Sequence, residues 1–212
     1  MSDKPKVERV ILNEDGSSTL RLRHVRLSFP HLFTPWVGKE TKGEPKYKAS
    51  FLLEGDAENL ANAKKAFDHC ARICYKRGSA KKGEDTTPRN EDKLFLRPCD
   101  GKVKWDGYNA GEWYVTASTS QKGGKPAVFD NRKDREGNWA RLTEEDNRIY
   151  AGCYVNATLV VKANTKFGTI SAFIQAVQFA GDGEPFAAGK VNANEEFGDT
   201  DPEEDSVDDS GI

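Results

Sequence analysis

The chain has 212 residues, of which 31% are charged and 36% hydrophobic, and its formal net charge is −2. This length fits one domain with a sizeable core, and no apolar run is long enough to cross a bilayer. The N-terminal sequence MSDKPKVERV is charged where a signal peptide would be apolar. We therefore expect a cytoplasmic protein that does not contact membranes.

Charge is divided unevenly along the chain. Residues 1–190 hold all 32 basic residues and 25 of the 34 acidic ones, a net charge of +7, whereas residues 191–212 hold nine acidic residues and no basic one. A basic body joined to an acidic tail is typical of a polyanion-binding domain with a built-in competitor. Because the tail also lacks a hydrophobic pattern, we expect one domain over 1–190 and a disordered tail over 191–212.

The cysteine and histidine pattern argues against a metal site. Four cysteines are too few and too scattered for a disulfide framework, so reduced thiols are expected. Cys70 and Cys74 lie four apart beside His69, but no second Cys or His pair completes a tetrahedral site. We expect buried structural thiols and no metal or other cofactor.

The N-terminal third predicts strands followed by a helix. Val7–Leu12 and Ser18–Phe29 flank an Asp-Gly turn and predict a hairpin, and Pro30 should end its second strand. The inward-facing residues of that strand are expected to be Val25, Leu27 and Phe29. A third strand with one basic face follows over residues 46–54. Helical spacing of apolar residues then predicts a helix over 56–78, capped by Asp56 and Gly78.

The rest of the body predicts more strands. Short strands are expected in LFLRP, KVKW and EWYVTAST, and the segments GCYVNATLVVKAN and GTISAFIQAVQF predict a long hairpin. Strands, one amphipathic helix and further strands indicate a mainly β protein with an OB-fold-like barrel enlarged by insertions. Other β-sandwich layouts fit the same element order.

One stretch, residues 102–139, interleaves cations with aromatic residues. Cations can follow a nucleic-acid backbone while flat rings stack on bases, which is what a single-stranded nucleic-acid binder requires. An ordinary β core whose lysines and arginines keep the outer faces soluble would give the same composition. The candidate contacts here are Lys102, Lys104, Trp105, Tyr108, Trp113, Tyr114, Lys122, Lys125, Arg132, Lys133 and Trp139.

An OB barrel would add contacts from outside this stretch. Such barrels bind oligonucleotides across their second and third strands and with neighbouring loops. Lys46 and Lys48 lie on the basic face of the third predicted strand, and Lys162 lies near the tip of the long hairpin. Trp36 stands in a loop, where it either stacks on a base or caps the core.

Motifs for catalysis fail on detail. Gly183–Lys190 imitates a phosphate-binding loop, but five residues separate its glycines and Val191 replaces the required Ser or Thr. Asp130, Asp134 and Glu136 imitate a nuclease cluster, yet they alternate with basic residues, which indicates neutralised loop charge. We therefore expect a protein that is not an enzyme.

Four segments resemble a known family. They are VRLSFPHLFTP (Val25 to Pro35), PAVFD (Pro126 to Asp130), IYAGCYVNATL (Ile149 to Leu159) and GTISAFIQAVQFAGDGEPF (Gly168 to Phe186). In order and spacing they resemble phage single-stranded DNA-binding proteins of OB-fold type. The resemblance implies a non-catalytic protein in the host cytoplasm that coats single-stranded DNA without strong sequence preference during phage DNA replication, recombination or repair. It also implies that the acidic C-terminal tail recruits replication or recombination proteins.

Two other classes of function remain open from the sequence. A non-enzymatic phage interaction protein could carry an acidic tail that mimics nucleic acid. A metal-dependent DNA-processing enzyme could use carboxylates that no recognised motif marks. The sequence is also compatible with a homo-oligomer.

Overall fold

A computed structural model describes residues 7–38, 44–75 and 94–186. The acidic tail lies outside these ranges. In chain order the strands and helix are β1 (Val10–Leu12), β2 (Ser18–Trp36), β3 (Lys46–Leu52), α1 (Ala57–Cys74), β4 (Leu96–Pro98), β5 (Trp113–Ser120), β6 (Ala127–Lys133), β7 (Trp139–Arg141), β8 (Tyr154–Asn164) and β9 (Thr169–Gly181).

Five strands close into a barrel. β2 pairs antiparallel with both β3 and β8, β3 pairs with β5, and β8 pairs with β9. A parallel contact between Ala117 of β5 and Ala172 of β9 completes the ring. This strand order is that of an OB barrel, so the predicted fold class is confirmed, with α1 inserted between the second and third ring strands.

The core fills the barrel interior. β8 alternates strictly, with Val155, Ala157, Leu159 and Val161 buried and the intervening side chains more exposed. One face of α1 packs against this core. Burying each large apolar side chain contributes about 1.5–3 kcal/mol. The core includes Leu20, Leu22, Leu27, Phe51, Val115, Ile170, Val177 and Phe179 from the strands, and Ala63, Ala66 and Cys70 from α1.

Strand β2 departs from its predicted course. It continues through Pro30 to Trp36 because His24 and Phe29 both adopt φ 49° and its pairing shifts at three bulges, which follow Leu22, Ser28 and His31. Bulges admit proline and bend a strand. The second bulge also reverses the predicted alternation, so Ser28 is buried and Phe29 is 38% exposed. The prediction that Pro30 ends the strand and that Phe29 faces inward was wrong.

Other predicted elements have mixed outcomes. The β8–β9 hairpin is confirmed, whereas KVKW forms no strand because residues 100–105 fold into a 3-10 turn and a further tight turn. The β6–β7 hairpin was not predicted. Helix α1 begins after the predicted Asp56 cap but ends at Cys74, with Tyr75 as its C-cap residue. Gly78 lies outside the described residues.

The structure gives the state of the cysteines and shows where potential metal ligands and long apolar helices occur. All four cysteines are free, and three are buried. No group of three or more potential metal ligands occurs in the parts of the chain that the structure describes. Within the same residues, no helix has both the length and the hydropathy that a membrane span needs.

Asn59 joins the helix to the first bulge of β2. Its side chain is fully buried, and its Oδ1 accepts hydrogen bonds from the backbone N–H of Arg23 at 3.1 Å and from the Arg9 guanidinium at 3.2 Å. Its Nδ2 donates to the Arg23 carbonyl and to Asp56, each at 2.8 Å. One amide therefore satisfies the Arg23 peptide groups where the β2–β8 ladder is interrupted.

We predict that Asn59→Ala lowers the free energy of unfolding by about 1–3 kcal/mol, because it leaves the partly buried Arg23 N–H and C=O without their Asn59 partner. Urea denaturation measures the change. Lys65→Ala is the matched control, since Lys65 is exposed on the same helix and should alter stability by no more than about 0.5 kcal/mol. Equal losses in the two variants would contradict this role.

Candidate nucleic-acid interface

The outer face of β3 and β5 is open at one end and covered at the other. Lys46 and Lys48 pair with Ser120 and Ser118 at the open end. At the covered end, Leu52 lies buried beneath the segment 99–112, which connects β4 to β5. The open end therefore offers cations and small polar groups on the strands that OB barrels use for oligonucleotides.

Trp36 and Lys48 lie together on this open end. The Lys48 ammonium is 3.3 Å from the centroid of the Trp36 ring, a cation–π contact that fixes the orientation of the ring. Trp36 remains 42% exposed, and its backbone pairs with Lys46. A flat apolar surface and two positive charges thus share one edge of the β2–β3 pair.

A second aromatic group lies next to these residues. Phe29 packs edge to face against Trp105, with ring centroids 5.4 Å apart, and the Lys102 ammonium is 5.8 Å from the Phe29 ring. Trp105 is 42% exposed. We use the name barrel face for the surface formed by the exposed rings of Phe29, Trp36 and Trp105 together with Lys46, Lys48 and Lys102.

The cations of the barrel face repel one another. Burial lowers the pKa of Lys48, and the neighbouring Lys102 lowers it further. Burial also lowers the pKa of Lys102, with Arg97 as the next cause. His31 follows the same pattern, because burial and then Lys48 lower its pKa. Within the described residues no carboxylate forms an ion pair with Lys48 or Lys102, so an anion bound there would relieve the repulsion.

Three predicted aromatic contacts are buried or half-buried. Tyr108 and Tyr114 are each 2% exposed and pack edge to face at 5.1 Å beneath the covering segment. Trp113 is half-buried and packs against the core, with Lys64 of α1 at 5.1 Å from its ring. Burial beneath the segment 99–112 contradicts the predicted stacking of Tyr108 and Tyr114 on bases. The stacking of Trp113, which faces inward and is half-buried, stays a prediction.

Three further predicted cations lie around the barrel face, and a fourth, Lys162, lies elsewhere. Lys104 contacts Trp105, with its ammonium 5.8 Å from the ring. Lys122 and Lys125 follow β5, where Lys122 pairs with Glu44 at 3.5 Å and Lys125 lies 5.2 Å from the Phe33 ring. Lys162 is exposed on β8, which does not pair with β3 or β5.

The remaining predicted residues form a separate surface. Arg132, Lys133 and Trp139 belong to the β6–β7 hairpin, which extends from β9. The Lys133 ammonium is 5.3 Å from the Trp139 ring, and Trp139 is 49% exposed. The single surface predicted over residues 102–139 is therefore divided between the barrel face and this hairpin.

Phe29 is the exposed ring of the barrel face that the sequence reasoning missed. Its position in an alternating strand predicted burial, whereas the bulge turns it outward. The available signal was Pro30, because proline inside a paired strand marks a bulge.

Comparison with known proteins identifies relatives over most of the chain. The family described as Enterobacter phage Enc34, ssDNA-binding protein, matches residues 18–207. Protein p50 of Acyrthosiphon pisum secondary endosymbiont phage 1 is 35% identical over 182 residues, which cover 85% of this chain and 92% of p50.

Solved structures show the same fold. A C-terminal truncation of the single-stranded DNA-binding protein from bacteriophage Enc34 has a TM-score of 0.59 and 25% identity, covering 86% of this chain and 95% of that one. The Enc34 protein in complex with ssDNA has a TM-score of 0.59 and 23% identity, covering 86% and 96% of the respective chains.

We predict that Lys102→Met raises the pKa of Lys48 towards its ordinary value, because a nearby positive charge no longer opposes protonation. Alkaline titration followed by NMR of the lysine Cε–Hε groups measures this shift. Lys104→Met removes an equal charge that is not a cause of the Lys48 shift, so it should have much less effect. A Lys48 pKa unchanged by Lys102→Met would disprove the coupling.

Proposed function

Because the chain belongs to the family of phage Enc34 ssDNA-binding proteins, we propose that it coats single-stranded DNA through the barrel face during phage DNA replication, recombination or repair. Proteins of this family are binding proteins and not enzymes. In the proposed mode of binding, lysines neutralise phosphates while exposed rings stack on bases.

The contact between Trp36 and Lys48 is the observation that best supports this proposal. It places an exposed ring and a cation 3.3 Å apart on the strand face that OB barrels use for oligonucleotides. Lys102 and the Phe29–Trp105 pair repeat the same combination beside it. Phosphates along the strand would meet the lysines, and successive bases would meet the rings.

Little sequence preference follows from this mode of binding. Every base has a flat face, so stacking tolerates any sequence. A duplex hides those faces in its own stack, so we expect single strands to be preferred. Affinity should fall steeply as salt rises, since each neutralised phosphate releases condensed counterions.

The acidic tail supplies a proposed regulatory element. Residues 191–212 carry nine carboxylates and a basic body precedes them, so the tail would compete with DNA for the barrel face by simple charge attraction. Bound DNA would release the tail, which would then recruit replication or recombination proteins. Val207 and Ile212 give the tail apolar side chains for such a partner.

We predict that Trp36→Ala and Trp105→Ala each weaken binding of a labelled oligo-dT by about 1–3 kcal/mol, through loss of one stacked base. Fluorescence anisotropy at fixed salt measures the affinity. Tyr108→Phe is the control, because its ring is buried and should not touch DNA. Unchanged affinity in both tryptophan variants would exclude the barrel face as the stacking surface.

We also predict that truncation after residue 190 tightens oligo-dT binding at low salt, and that the gain shrinks as salt screens the tail. Titration of the full chain and the truncated chain over a salt series tests this. Equal affinities at low salt would show that the tail does not compete with DNA.

A further inference from the structure

A groove lies on the barrel wall away from the barrel face. Its floor is the outer surface of β8 and β9, Arg23 of β2 lies at one side, and Phe129 and Trp139 of the β6–β7 hairpin form the other. We call it the hairpin groove. Its volume is about 160 Å³, below the roughly 300–1,000 Å³ of pockets that enclose whole small molecules, so it suits one flat group held against a wall.

The two aromatic rings that form the hairpin side of the groove each have a cation beside them. Trp139 is 49% exposed, and the Lys133 ammonium lies 5.3 Å from its ring. The guanidinium of Arg141 lies 5.3 Å from the Phe129 ring. This is the same pairing of flat surface and positive charge as on the barrel face.

The floor carries amide groups with remaining hydrogen-bonding capacity. Asn156 donates to Gln178 at 3.1 Å, Gln178 donates to the Asp130 carbonyl at 3.2 Å, and Asn156 accepts from the backbone N–H of His24 at 3.1 Å. A side-chain amide has two N–H donors and a two-lone-pair oxygen. These bonds use one donor of each amide, which leaves groups that can bond to the edge of a base.

The charge of the groove is positive. Arg9 and Arg21 lie close to Arg23, and after burial they are the next causes that lower its pKa. The nearby carboxylate of Asp130 is already paired with Arg148 at 3.4 Å. None of the residues that line the groove is acidic. An anionic ligand with a flat group therefore matches the groove better than a neutral or acidic peptide does.

The two surfaces are connected along the chain. β5 contacts β9 at Ala172, and β6 begins its pairing with β9 at Ala176. Four residues of strand span about 13 Å. Lys122 and Lys125 lie in the segment between β5 and β6, so cations line the connection from the barrel face to the hairpin groove.

We propose that the hairpin groove is a second site for single-stranded DNA, where a strand that leaves the barrel face places one base against Trp139. Arg23, Lys133 and Arg141 contact its phosphates, and the Asn156 and Gln178 amides bond to the edge of the base. The proposal rests on the proposed function. It makes the length of bound DNA depend on two surfaces rather than one.

Oligo-dT of two lengths, about 6 and about 16 nucleotides, separates the two surfaces, since single OB domains cover about 4–16 nucleotides. Trp139→Ala should weaken binding of the longer oligonucleotide about fivefold or more and leave the shorter one unchanged. Trp139→Phe, which keeps a flat ring, should retain most of the affinity. Anisotropy measures the affinities, and urea denaturation confirms that both variants stay folded.

The outcomes distinguish the two proposals. If Trp139→Ala changes neither affinity while Trp36→Ala weakens both, the second site is wrong and the barrel face stands. If Trp36→Ala changes neither affinity while Trp139→Ala weakens both, the barrel face is wrong as the main site. Photocrosslinking with 5-iodouracil placed along the longer oligonucleotide should label Trp139 from one end of the DNA only; labelling from no position would overturn the second site.

Discussion

The first two of the three bulges in β2 are the constraint on which much of this structure depends. A straight strand cannot pair with β3 on one side and β8 on the other while it follows the curve of a five-stranded barrel. His24 and Phe29 take up the bend in the left-handed region, at φ 49° each. The first bulge interrupts the ladder where Asn59 bonds to Arg23, and the second turns Phe29 out beside Trp105. Barrel closure and exposure of an aromatic ring therefore have one cause.

Electrostatics links folding to the proposed binding of DNA on the barrel face. Lys48 and Lys102 have lowered pKa values because burial and like charges disfavour their protonated forms. The pKa values of these lysines are lower in the folded state than in the unfolded state, so their positive charges oppose folding at neutral pH. This free-energy penalty on folding disappears as pH rises through the lowered pKa towards the ordinary lysine value. A phosphate bound beside the two ammonium groups would act in the opposite direction, because it would favour the protonated forms and raise both pKa values. The surface is thus arranged to gain from an anion.

Local patterns in the sequence predicted the elements that form through interactions between residues close together in the chain. Alternation over 152–179 predicted the β8–β9 hairpin, and Asp56 predicted the start of α1. The covering of Tyr108 and Tyr114 could not be predicted, because it depends on how the segment 99–112 packs against an outer strand face. The division of the basic and aromatic stretch also depends on topology, since β6 leaves β5 to pair with β9. Composition identified the residue types that a single-stranded DNA-binding surface needs, but only the strand order shows which of them share a surface.

The most direct test of the central claim is a titration of intrinsic tryptophan emission with oligo-dT at low and moderate salt, on the chain as it is and on Trp36→Phe. Stacking on an exposed indole quenches its emission, whereas a phosphate contact alone does not bring a base to the ring. We predict saturable quenching that weakens as salt rises and that is smaller in Trp36→Phe. Binding without quenching, or quenching that is identical in Trp36→Phe, would contradict the assignment of Trp36 and the barrel face as the place where DNA bases stack.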